Sequence, residues 1–161
     1  MLTEVQILQV WESMLEAETR SLYFADLASR YTRRKQVITA LTFFLSSGAA
    51  ATLIAKTPEW VPLVLAIVPA LANAYSMAAG LDRKVATMVE LHATWNGIAG
   101  DYNRLWNHVH DDDAELLLEK IVQAEREPSK VASTEAPNNQ RLMGKWLDHV
   151  CAMRHLTNQH G

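Results

Sequence analysis

The residues with the most chemical potential are His108-Val109-His110-Asp111-Asp112-Asp113, two imidazoles and three carboxylates in six positions. Such side chains ligate divalent metals, but alternate histidines on a helix point to different faces, and no second cluster elsewhere completes a four-ligand set. A solvated helix end followed by a helix N-cap accounts for them better. His92, His149, His155 and His160 are scattered, and neither a nucleophile motif nor a phosphate-cradling glycine loop occurs. No catalytic, cofactor-binding or metal-binding residue is therefore expected, and no cofactor. Cys151 is the single cysteine. Surrounded by apolar neighbours in an amphipathic segment, it reads as an inert buried thiol without a disulfide partner.

A second kind of chemistry is helix association in lipid. Ser47, Ala51 and Ala55, and then Ala66, Ala70, Ala74 and Ala78, recur every four residues. Each set lines one side of a helix and lets a neighbouring backbone approach closely, so both are read as helix-contact seams. Pro69 removes a backbone donor and predicts a kink. Asn73, one turn on, is the costliest polar group in its segment. It is expected to line a pore or glue subunits together, or to bond freed backbone.

The elements that must position these residues follow from hydropathy. Gln36 to Ala55 and Val61 to Gly80 contain no Asp, Glu, Lys, Arg or His and are joined by the short connector Lys56 to Trp60. About 20 helical residues match a hydrocarbon core of roughly 30 Å, so the pair predicts a transmembrane hairpin. Arg30, Arg33, Arg34 and Lys35 precede the first span, and Arg83 and Lys84 follow the second. The positive-inside bias then keeps both termini cytoplasmic. These basic residues, with Trp60 at an interface, anchor the membrane boundary through anionic headgroups. No amino-terminal segment has the order of a signal peptide, which leaves targeting to the first span. A net charge of -3 gives no nucleic-acid signature, so membrane lipid is the expected partner instead.

The fold class predicted is all-α: a long antiparallel helical hairpin with a two-span transmembrane tip and a cytoplasmic bundle completed by C-terminal helices. Residues 1–35 form a leading cytoplasmic helix, 36–80 the transmembrane hairpin, 81–126 cytoplasmic helices, 127–138 a mobile linker and 139–161 a last helix. Thr3 and Gln6 have capping-box spacing, and Leu8, Leu15 and Leu22, widened by Val5, Trp11 and Met14, predict the buried stripe of the first helix. Val85, Met88, Val89, Leu91, Trp95, Ile98, Tyr102, Leu105, Trp106 and Val109 are spaced so that most of them share one face of the returning arm, where Gly97 and Gly100 permit a bend. Asp112 and Glu115 are spaced to cap a third helix. Leu142, Trp146, Val150 and Met153 form the inner face of the last one.

This layout, with RYTRRK at 30–35, Tyr102-Asn103-Arg104-Leu105 ending the returning arm and Pro137-Asn138-Asn139-Gln140-Arg141-Leu142 opening the last helix, resembles the SLATT group of bacterial two-transmembrane effectors. The resemblance implies a membrane effector of anti-phage or other conflict systems, without enzyme activity, that damages the inner membrane when triggered. It also implies a partner sensor protein or nucleotide signal, while the small-residue seams make a homo-oligomer the expected assembly. The residues alone leave open a soluble oligomeric helical-bundle adaptor.

Overall fold

In the computed structural model, residues 2–46 and 60–157 are described, and every regular element among them is an α-helix. Helix α1 spans Glu4–Ser46. Its start is the expected capping box: the Thr3 N–H donates to Gln6 Oε1 at 2.8 Å and the Gln6 N–H to Thr3 Oγ1 at 3.3 Å. Two otherwise orphaned donors are satisfied reciprocally. Helix α2 spans Trp60–Ala78 and α3 spans Leu81–Trp106. Gly80 joins them in the left-handed region, with φ at 58°. Its N–H donates to Met77 O at 3.1 Å and its carbonyl accepts from Lys84 at 3.0 Å, so one residue closes α2 and opens α3. Helices α4 (Ala114–Ala124), α5 (Arg126–Glu135) and α6 (Gln140–Thr157) complete the described chain.

The chain divides into two compact units: a bundle unit of residues 1–27 and 87–161, and a hairpin unit of residues 28–86. In the bundle unit α1 and α3 run antiparallel. Leu2 N–H donates to Val109 O at 3.3 Å, Trp11 meets Trp106 with ring centroids 5.1 Å apart, and Ser21 meets His92. Buried residues on α3 alternate three and four apart through Met88, Leu91, Trp95, Ile98, Tyr102 and Leu105. On α1 the matching buried set is Val10, Met14, Ala17, Ser21 and Phe24. This is the three-four spacing of a coiled-coil-like seam, with Ala17 and Ser21 as the small positions on α1 between the larger Met14 and Phe24.

That seam corrects the expected one, because Leu8 is 59% exposed and Leu15 and Leu22 are only half-buried. Register against α3, rather than side-chain hydrophobicity, selects the face of α1. The bend allowed at Gly97 and Gly100 is not used to interrupt α3, which is helical through both. The N-cap of α4 is Asp113 without a side-chain cap bond, in place of the expected Asp112–Glu115 box. Asp111 instead accepts from His108 Nδ1 at 2.8 Å.

The expected linker at 127–138 is largely helix α5. Pro128 occupies its first turn, where a backbone N–H has no partner within the helix, so the ring costs no hydrogen bond, and its side chain is buried. Pro137 ends the element by holding Ala136 extended, at φ -95° and ψ 141°. The junction with α6 is pinned to α1: the Tyr23 hydroxyl donates to Pro137 O and accepts from the Asn139 N–H at 3.3 Å. Asn139 Oδ1 then caps α6 by accepting from the Leu142 N–H at 3.1 Å. Helix α6 lies antiparallel to α1, with Trp146 Nε1 donating to Asp26 at 3.3 Å and Arg154 paired with Glu18. Leu142 and Val150 are buried as expected, Trp146 is half-buried, and Met153 is exposed.

Candidate functional site

The most unusual surface belongs to the hairpin unit. On α1, Ile38, Thr42 and Leu45 form a half-covered side with helical spacing, while Val37, Leu41, Phe43 and Phe44 are exposed, Phe43 by 78%. On α2 the covered side is Pro69, Ala72 and Ser76; Val64, Ile67, Val68, Leu71, Tyr75 and Met77 are exposed, Met77 by 83%. Large apolar side chains thus dominate the uncovered side, while Thr42 and Ser76 sit among the covered residues. Exposed apolar area is unfavourable in water by roughly 25 cal/mol per Å², and this concentration of it makes the hairpin unit the candidate interaction surface.

Of the expected seam, Ala70, Ala74 and Ala78 lie exposed, as does Asn73. Pro69 takes the inward position instead, inside a helix that is continuous from Trp60 to Ala78. Ser47, Ala51 and Ala55 lie outside the described residues; Ala66 and Trp60 are placed by their helical backbone alone. Among the described residues no helix is long and apolar enough to cross a membrane. The first expected span is represented there by residues 36–46 only.

The basic residues do converge. Lys35 pairs with Asp82 across the hairpin unit, which brings the α1 cluster and the start of α3 to one level. Arg30, Arg33, Arg34, Arg83 and Lys84 are all exposed there. Charge follows the same division: the hairpin unit has seven Lys and Arg against two Asp and Glu, while the bundle unit has eight against sixteen. The net charges are therefore +5 and -8.

Polar chemistry in the bundle unit centres on a cluster not foreseen from the sequence. Burial, and then the nearby Glu125 carboxylate, push the Tyr102 hydroxyl up to about 12; Ser13 also bonds it. Burial, helped by Glu16, raises Glu125 above the usual carboxylate value, against the opposing hydrogen bond from Tyr102 and the charge of Arg20. Arg20 pairs with Glu16 and stacks 4.6 Å over the Trp95 ring. Only the Glu16–Arg20 pair, four residues apart, was open to inference from spacing.

The nearest nucleophile–base pair is Ser21 Oγ and His92 Nδ1, at 3.1 Å. His92 Nδ1 also lies 2.9 Å from the Ser21 carbonyl oxygen, which can only accept. A hydrogen bond to that carbonyl requires the Nδ1–H tautomer, in which this nitrogen is no base toward the hydroxyl. His108 and Asp111 are both exposed, and no group of three or more His, Cys, Asp or Glu suited to a metal occurs among the described residues. Cys151 is half-buried rather than fully buried. Comparison of the chain with protein-family models, curated proteins and solved structures gives no match, so the functional reading rests on the residues themselves.

Proposed function

We propose that the chain is a membrane-embedded effector of a bacterial anti-phage or other conflict system, with both termini on the cytoplasmic side of the inner membrane. Copies associate through the hairpin unit and disrupt or permeabilise the bilayer when a partner sensor or a nucleotide signal acts on the bundle unit. One observation carries this reading: large apolar side chains stay exposed along α1 and α2, next to a converged set of basic residues. Lipid removes the unfavourable apolar hydration, and anionic headgroups complement the +5 unit. The resemblance of 30–35 and 102–105 to SLATT effectors supports the same reading.

A soluble oligomeric helical-bundle adaptor is the second reading. It is favoured by the lack, among the described residues, of a helix long and apolar enough to cross a membrane. In that case the exposed faces of α1 and α2 form the core of an assembly. Fractionation separates the two: a membrane effector stays in the pellet through alkaline washing, whereas an adaptor is recovered without detergent as a discrete oligomer. A potential-sensitive dye then tests permeabilisation, and an unchanged membrane potential in triggered cells overturns the effector reading.

A further inference from the structure

The bundle unit leaves a groove open beside α6. A cavity of about 530 Å³ runs along α1 from Glu12 to Arg20 and along the start of α6 from Asn138 to Leu147. At about 1.5 Å rise per residue, that stretch of α1 is roughly 12 Å long, or about two helical turns. Its floor is apolar, made by Leu15, Met143 and Leu147, the last 43% exposed. Leu15 belongs to the seven-residue leucine series that the α1–α3 seam passes over, so a second coiled-coil-like stripe remains half open. Methionine lets such a floor adapt to the side chains laid on it.

The sign of the rim decides what fits. Glu12, Glu16 and Arg20 line the groove; Arg20 pairs with Glu16 and stacks on Trp95, so these two charges offset each other and the exposed Glu12 gives the rim its negative sign. Phosphate or carboxylate ligands would meet carboxylates there. A cationic apolar ligand meets complementary charge, at close range and from a unit of net charge -8. We propose that this groove docks a cationic amphipathic helix of a partner protein. Its apolar side chains, three or four residues apart, cover Leu15, Met143 and Leu147, and its Lys or Arg side chains face Glu12 and Glu16. The groove uses no residue of the hairpin unit, so the inference stands apart from the membrane reading.

The probe is a fluorescently labelled helical peptide of about 18 residues, leucine on one face and lysine on its flanks, titrated with the full chain in non-ionic detergent against a micelle-only blank. A second peptide keeps the leucines and replaces every lysine by glutamate. The expected result is saturable binding of the lysine peptide and at least about tenfold weaker binding of the glutamate peptide. Glu12→Lys and Leu147→Ser, both exposed positions, each weaken the lysine peptide by about tenfold while leaving the helical circular dichroism and its melting unchanged. Equal affinity for the two peptides, no saturable binding of the lysine peptide, or full affinity in both variants overturns the proposal.

Discussion

The two units treat the same kind of side chain in opposite ways. In the bundle unit α1 and α3 bury a regular three-four alternation, so that Val10, Met14, Met88, Tyr102 and Leu105 are almost inaccessible. In the hairpin unit the continuation of α1 and the neighbouring α2 leave Phe43, Phe44, Leu71 and Met77 outside. The bundle unit buries a continuous core while leaving Val5, Leu8, Val89 and Leu116 outside it; in the hairpin unit most of the large apolar side chains lie outside. The charge division, -8 against +5, runs along the same boundary.

The sharpest way to break this contrast is to shorten one large side chain on each side of it. Tyr102→Ala removes a fully buried ring from the α3 seam and is expected to cost about 3–5 kcal/mol in denaturant unfolding of the bundle unit. Leu71→Ala, at an exposed position, should leave that transition in place and lower partition into lipid vesicles. Equal destabilisation by the two would erase the distinction between the units.

Next in size is the basic side. Replacing Arg33, Arg34 and Lys84 together by Gln is expected to weaken binding to anionic vesicles roughly a hundredfold at low salt, at about 1 kcal/mol per residue. Binding to zwitterionic vesicles should change little, and a co-sedimentation series over ionic strength reads both. Arg154→Met then tests the α1–α6 contact, where Glu18 and Arg154 are both mostly covered. Leaving Glu18 without its partner should cost about 1–2 kcal/mol, read as a lower midpoint of urea unfolding.

The smallest effect expected is at Glu125. Its carboxyl is raised in the folded chain above the ordinary 4.5, so the fold prefers the protonated form. The group therefore costs stability above its folded value, and that cost disappears as pH falls through it toward 4.5. Glu125→Gln should raise the melting temperature at neutral pH by roughly 2 °C and lose the advantage under acid conditions. A variant advantage that grows on acidification would contradict the assigned direction.

Local chemistry was legible in the sequence where one residue settles a hydrogen bond. Thr3 with Gln6 is set by donors and acceptors that those side chains supply. The α3 face was readable in the main, from Met88 to Leu105, although Val89, grouped with it by spacing, lies exposed. On α1 two apolar stripes compete, and the winner depends on which register fits α3, a long-range fact absent from either stripe alone. Composition misled at 127–138, where serine, threonine and proline suggested a linker although Pro128 sits in a first turn that tolerates it. The alanine series predicts a contact seam from spacing, but spacing does not say whether the partner is the same chain or another copy. The Glu125–Tyr102 cluster joins residues far apart along the chain, so no local signal announced it.

Gly80 has a consequence of its own. Nothing stands within 4 Å of where a β-carbon would be, yet its φ of 58° lies where side-chain-bearing L-residues are penalised. The corner between α2 and α3 is thus enforced by stereochemistry and not by crowding. An asparagine there would be tolerated and a valine would not, although both have room, which makes this bend readable as a torsional lock independent of everything packed around it.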